Sequence, residues 1–426
     1  MKLRKFFAFL LAVTMIAALA ACGSTATPSP SASGSSEPVK ITFWAFPTFG
    51  VGGEYEQQLI KEFNAVHPEI EIEFVSIDFT SGPDQLASAI ESNTAPDVLF
   101  DAPGRIIQYG RAGKLASLDD MFTKEFAADV NNETLLNACK ADGTAYMYPL
   151  SVAPFYMGLN KEMLEKADAL KYVNLEGDRT WTTENFVKMC EALRDAGVAQ
   201  TPGIVYCGAQ GGDQGTRALV NNLYSSSIID KDGKWSIDAN GIKALTLLQS
   251  MVKAKSLDAG MSYAAADELQ QFQAETCAMT FCWGTSNAKN YHSDAYTAIS
   301  VPFPSDDGAP ALEYLANGFC VFNNGSDAKI AAAKEFIKFI CDDPTVGPQS
   351  VVKTGAFPVR QSFGNLYEGD AEMTLLASWS KYYGTYYNTT PKFAEMRTEW
   401  WNMLQRIFQG GDVATEAGVF MTNANK

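Results

Sequence analysis

Two histidines, His67 and His292, are all the imidazole that this chain of 426 residues holds, which excludes a three-histidine metal site and leaves little for a zinc hydrolase. The GxSxG and HExxH patterns are absent, so neither an activated serine nor a zinc peptidase has a signature here. Neither phosphate-cradling glycine pattern, GxGxxG or GxxxxGK(S/T), occurs. Asp230-Lys231-Asp232-Gly233 imitates part of a calcium loop, but Ile228 and Ala239 stand where acidic ligands would be needed, so it reads as a turn. What remains is hydrogen bonding and stacking. Gln210 to Gln214 (QGGDQ) is a polar glycine-rich loop in which Gln210 and Asp213 are the hydrogen-bonding groups, and Tyr382 to Tyr387 is dense in aromatic rings. The 49 acidic residues offer many carboxylate pairs of the kind a glycoside hydrolase uses, yet no segment carries a hydrolase signature.

These groups need a scaffold, and the first part of the chain supplies a regular one. Val39 to Trp44 alternates apolar and polar as a strand; Leu59, Ile60, Phe63 and Val66 recur at helical spacing until His67-Pro68; Glu69 to Ile77 alternates again. Gly82-Pro83-Asp84 opens a helix with Leu86, Ala89 and Ile90, and Pro96-Asp97 leads into the apolar strand Val98-Leu99-Phe100. Strand, helix, strand, helix, strand is the pattern of parallel βαβ units, in which ligands sit beyond the carboxyl ends of the strands. Trp44 and Asp101 lie at two such ends. From Met157 onward the pattern turns helix-rich, with helices expected over 161–169, 183–195 and 241–254, later strands at Phe281, Val301 and Phe319 to Phe322, and helices over 331–341, 375–382 and 393–408. Trp400, Met403, Leu404 and Ile407 fall at helical spacing and are expected in the core.

With 46% hydrophobic and 12% aromatic residues the chain can fill two to three domains. Its net charge of −16 argues against nucleic-acid binding, because 33 basic residues are outnumbered by 49 acidic ones. A globular α/β protein, secreted or soluble, is the expectation. Residues 1–22 read as an export signal: Lys2, Arg4 and Lys5, then an apolar run from Phe6 to Ala21 shorter than the ~20 residues that span a bilayer. The run ends in Leu19-Ala20-Ala21-Cys22-Gly23, which resembles the lipobox of bacterial lipoproteins, whose cysteine is acylated and becomes the new N-terminus. Residues 23–38, rich in Ser, Pro and Gly, read as a flexible tether. The resemblance implies a body lipid-anchored on the outer face of the cell membrane. The other seven cysteines have no CxxC spacing and are expected as buried free thiols rather than a disulfide framework.

Several motifs, in this order, resemble the extracellular solute-binding proteins of ABC importers, the sugar-binding family that contains maltose-binding protein. They are the opening ITFWAF; Ala95-Pro96-Asp97-Val98 with Tyr109 to Asp119; Gly143 to Pro149 with Leu159-Asn160-Lys161; Thr180-Trp181-Thr182; Phe272 to Trp283; Ala332 to Ile337; and Gly355 to Arg360. The resemblance covers nearly the whole mature chain. It implies a two-lobed, hinge-connected α/β periplasmic-binding-protein fold of class II type, with a first lobe of 39–150 plus 305–360 and a second of 154–301 plus 365–426. It implies a carbohydrate captured between the lobes and delivered to the membrane permease, with no catalytic residue, cofactor or metal, and a monomer as the working state. Some members of the family carry glycerol phosphates, polyamines or metal ions instead.

A sugar offers apolar CH faces and a ring of hydroxyls, which aromatic planes and Asp, Asn, Gln or Arg respectively can satisfy. By the resemblance, Trp283 is the first stacking candidate and Trp44 the second; Asp101 and Arg105 stand where the first lobe offers polar groups; Gln210 and Asp213 belong to the second lobe, and Tyr383 to the cleft rim. Compared with maltose-binding protein, Asp101 replaces a Trp, Gly104 an Asp and Ala153 a ligand-binding Glu, while Arg105 is kept. Those departures argue against maltose itself. An exported hydrolase and a purely adhesive surface lipoprotein are the competing classes; no internal repeat supports the second.

Overall fold

In the computed structural model, residues 37–50, 52–79, 81–209 and 213–426 are described. The export signal with Cys22, most of the tether and Gln210 lie outside the described residues. The chain enters as expected through β1 (Val39–Ala45), α1 (Glu54–Val66), β2 (Ile70–Ser76), α2 (Gly82–Glu91) and β3 (Val98–Asp101), and α3 (Pro103–Arg111) follows. β1 is central and pairs in parallel with both β2 (Val39 opposite Ile70) and β3 (Phe43 opposite Val98).

Local chemistry sets these boundaries. Ile41, Phe43 and Ala45 alternate into the core, and Phe43 meets Phe336 of the covering helix Asp327–Asp342 edge-on at 5.3 Å. α1 starts after Gly53, whose φ of 74° suits glycine, and a Cβ there would stand 2.5 Å from the Phe74 ring. Pro83 and Pro103 occupy the first turns of α2 and α3, where a missing N–H costs nothing. Asp97 ties the sheet to its cover: the Thr42 N–H donates to its carboxylate at 2.8 Å, and the Lys329 ammonium stands 3.1 Å away.

The strand Tyr148–Asn160, 13 residues long, connects two separate cores. Its first half pairs antiparallel with Tyr314–Val321, its second with Met279–Gly284 and Ala298–Val301. Leu150 and Val152 pack in a first cluster with β1–β3 and the 316–359 segment; Tyr156, Met157 and Leu159 pack in a second, which runs on through Leu312 and to Ala424. The sheet accordingly runs β2, β1, β3, Tyr314–Val321, Tyr148–Asn160, Ala298–Val301. The segment at 305–312 sits with the second cluster: Leu312 belongs to it, and the Thr183 N–H donates to the Ser305 carbonyl at 3.2 Å.

In the second cluster the helix Thr183–Ala196 is capped by the Thr182 hydroxyl, which accepts from the Asn185 N–H at 3.2 Å, and ends on Gly197 at φ 59°. The helix Phe393–Phe408 buries Trp400, Met403, Leu404 and Ile407, as their spacing requires. Asp230 closes its turn by accepting from the Asp232 and Lys234 N–H groups, both at 2.9 Å. All seven described cysteines are free thiols, and all but half-exposed Cys282 are buried; burial pushes Cys139 and Cys207 up to about 12. Among the described residues no helix is long and apolar enough to cross a membrane.

Candidate functional site

The carboxyl ends of β1, β2 and β3 open on the same side of the sheet, and the α3 N-terminus that follows β3 abuts the second cluster. Gly104 makes the approach possible: a Cβ there would stand 3.1 Å from the Asn388 carbonyl and 3.1 Å from the Phe393 ring. Two turns along, the Arg111 guanidinium donates to the Thr389 carbonyl at 2.8 Å. The strand ends of the first cluster therefore face residues of the second, which is where a ligand held by both would lie.

On the first side stands Asp101, the last residue of β3 and 4% exposed. Arg105, one helical turn later, donates from Nε and Nη2 to the two Asp101 oxygens, each at 2.6 Å. Burial works against the guanidinium charge, but the Asp101 carboxylate more than compensates and holds the Arg105 pKa above its ordinary value. The guanidinium also lies 4.5 Å over the Phe46 ring, just past the end of β1. Its Nη1 has no hydrogen-bond partner among the described residues, so a donor is left over in a group whose charge is already neutralised. The same carboxylate, after burial, helps push Tyr109 up to about 12. Trp44 is half-buried on the sheet face opposite Phe43, in register with Val75 and Leu99.

On the second side, Tyr383 stacks on Tyr314 with ring centres 4.5 Å apart and planes 11° from parallel. It is half-buried and packs against both clusters, at their junction. Asp213 is 2% exposed and fully engaged, accepting from Arg217 Nη1 and, at 2.7 Å, from Arg397 Nε. Arg217 is wholly buried; its Nε donates to the Tyr387 hydroxyl at 3.1 Å and its Nη2 to Glu313 at 3.3 Å, while the Tyr387 hydroxyl donates to Glu313. Burial pushes Glu313 up to about 7, against the pull of Arg217. Trp283 is 1% exposed, with Phe272 and Tyr291 set edge-on to it at 5.5 and 5.7 Å, so its indole packs inside the second cluster.

The structure thus joins Asp101 to Arg105 and places Tyr383 at the junction, whereas Asp213 is spent on two arginines and Trp283 on packing. Sequence reasoning missed the Arg217, Glu313, Tyr387 and Arg397 network, whose members are far apart in the chain, and missed Phe46, whose only signal was its place one residue beyond β1. A cavity of about 540 Å³ opens elsewhere in the first cluster, among Asp120, Phe126, Asp129, Tyr148, Asp342 and Arg360, and touches none of these groups.

Residues 47–344 match the model of the bacterial extracellular solute-binding proteins, and the chain belongs to that family. The fold agrees, being the two-lobed, hinge-connected α/β architecture of the class II periplasmic binding proteins. The GacH receptor of Streptomyces glaucescens, solved unliganded and with acarbose, superposes with a TM-score of 0.73 at 18% identity, over 91% of this chain and 97% of that one. A solute-binding protein from Thermotoga lettingae solved with α-D-tagatose gives 0.75 at 16% identity, over 91% and 99%. A Listeria monocytogenes substrate-binding protein in complex with cycloalternan gives 0.71 at 20% identity, over 91% and 98%. A curated relative, an uncharacterised lipoprotein from Streptomyces antibioticus encoded in the oleD 5′ region, is 32% identical over 74 residues; the match spans 17% of this chain and 16% of that relative's length.

Proposed function

We propose that the chain is the substrate-binding lipoprotein of an ABC importer, which captures a carbohydrate between its lobes and hands it unaltered to a membrane permease. The observation that carries this reading is the Asp101–Arg105 pair at the strand ends, with Arg105 Nη1 left over and the second lobe opposite. A guanidinium already neutralised by a carboxylate suits an uncharged, hydroxyl-rich ligand better than a phosphate or a polyamine. Half-buried Trp44 and Tyr383 offer apolar surface for CH faces. The acarbose, tagatose and cycloalternan bound in the similar structures support the same ligand class.

In this reading the lobes are 39–150 with 314–360 and 154–313 with 365–426; residues 305–313 are assigned by their packing to the second lobe rather than the first. Cys22 carries the lipid and residues 23–38 tether a monomeric body to the outer face of the cell membrane. The protein is a binder without catalytic residues. A thermal-shift panel of mono- and oligosaccharides tests it: the right sugar at a hundredfold excess over its dissociation constant adds ~2.7 kcal/mol of stability. A panel without any shift overturns the carbohydrate reading, and newly formed reducing ends would make the protein a hydrolase.

A further inference from the structure

Two consecutive peptide carbonyls of the second lobe meet α3 of the first. That of Asn388 faces Gly104, where a Cβ would stand 3.1 Å away, and that of Thr389 accepts from the Arg111 guanidinium at 2.8 Å. Gly104 and Arg111 stand about two turns apart on α3, but helical side chains lean toward the N-terminus, so the Arg111 arm reaches back along the helix to the same segment. That segment is clamped on both sides. Before it, the buried Tyr387 ring is set edge-on to Trp235 at 6.1 Å, and its hydroxyl accepts from Arg217 Nε at 3.1 Å and donates to Glu313. After it, the Pro391 carbonyl accepts from the Trp235 indole N–H at 2.9 Å. The Thr390 N–H closes the turn on the Tyr387 carbonyl at 2.9 Å. Glu313 in turn borders a chain crossing. Its own carbonyl accepts from the Phe155 N–H at 2.8 Å, where Tyr148–Asn160 passes from one core to the other. The two carbonyls are therefore fixed with respect to the crossing strands, and α3, which carries Arg105, docks on them.

We infer that these contacts form a latch between the lobes that sets how tightly and how long any ligand is held, with Arg111 and Tyr387 as positioning residues that do not touch it. This rests on the reading of the chain as a two-lobed binder, not on its ligand being a sugar. The Arg111 donor is spent on a main-chain carbonyl, and the Tyr387 hydroxyl is enclosed with both its partners, so neither distinguishes one ligand from another. What they change is the fraction of the protein that is closed, and the apparent affinity of every ligand scales with that fraction. The segment is held in place beforehand, so docking α3 on it orders little that is not ordered already. Arg111 is exposed, and its replacement leaves both cores intact.

Calorimetry and stopped-flow fluorescence on the full mature chain, with each of glucose, xylose, sucrose, cellobiose and raffinose that stabilises it, decide the matter together with small-angle scattering of the ligand-free chain. Arg111→Met keeps the arm and removes the donor. It is expected to raise every Kd by the same factor, about fivefold, chiefly through faster dissociation. It is also expected to enlarge the ligand-free radius of gyration and to leave the ligand-free melting temperature unchanged. Arg111→Lys, which can still donate to the carbonyl, is expected to restore most of the loss. Tyr387→Phe should raise Kd as well, and the double variant should bind no more weakly than Arg111→Met; additive losses overturn the positioning role of Tyr387. Unchanged Kd values, or values raised for some sugars and not for others, overturn the latch while leaving the binder reading intact. Where no sugar binds the wild type the carbohydrate reading fails, and scattering decides alone: a larger radius for Arg111→Met upholds the latch, and an equal radius overturns it.

Discussion

A Cβ on Gly104 would stand 3.1 Å from the ring of Phe393, a residue of the other hydrophobic core. Contacts of that kind tighten when the lobes close and vanish when they part, so Gly104 is a point where closure can be obstructed without disturbing either core. Gly104→Val should therefore cost the closed state ~1–3 kcal/mol of overpacking, which lowers ligand affinity by roughly five- to 150-fold. The melting temperature without ligand should move little. Titration calorimetry beside a thermal melt separates the two effects; a variant that binds like the wild type would mean that this approach does not belong to the closed state.

Arg105 can be tested without removing its charge. In Arg105→Lys the ammonium can still neutralise Asp101, but the two-pronged geometry and the spare Nη1 donor are lost. The expected result is a folded protein with affinity reduced by ~1.5–3 kcal/mol, the range for a hydrogen bond to a charged group. Undiminished affinity in calorimetry would make the pair purely structural.

Asp213 should govern stability more than recognition. Asp213→Ala leaves the wholly buried Arg217 with Glu313 as its remaining carboxylate and deprives Arg397 of its 2.7 Å acceptor. Removing one partner of a buried pair costs ~3–5 kcal/mol, measurable as a lower denaturant midpoint. A loss below ~1 kcal/mol would show that the network tolerates the deletion by rearranging.

Glu268 gives the fold a pH dependence of known sign. It is buried, accepts from the Thr280 hydroxyl at 2.6 Å and the Phe281 N–H at 3.0 Å, and is pushed up to about 8 by that burial. Between its ordinary 4.5 and about 8 the folded chain keeps a proton that the unfolded chain has released. The unfolded state binds fewer protons in that window, so its contribution to stability falls as pH rises and levels off above about 8. Glu268→Gln should flatten this slope in urea titrations at several pH values; an unchanged slope would place its origin elsewhere.

The first lobe was legible because its cues are local. Alternation in VKITFWA, the His67-Pro68 stop and Gly82-Pro83 each act within a few residues, and the elements follow them closely. The strand Tyr148–Asn160 was not foreseen, since it is buried throughout most of its length and has no alternation to announce it. The packing of Ser305 to Leu312, expected with the first lobe, was hidden for a related reason: Ser305 meets Thr183, more than 100 residues away in sequence, and Leu312 packs with the second core. At the candidate site, Asp101 and Arg105 were singled out by the strand end and the family resemblance, and the helical turn between them makes them an ion pair. Trp283 shows the opposite case. An aromatic residue closing an apolar strand reads alike whether it stacks on a ligand or, as here, lies between Phe272 and Tyr291.

Small-angle scattering of the mature chain, before and after addition of the saccharide that raises its melting temperature most, asks the decisive question. A clamp that shuts on its sugar must lose radius of gyration on saturation, and should do so less readily in Gly104→Val. Superimposable curves at saturating ligand would contradict closure of the two lobes around a bound carbohydrate.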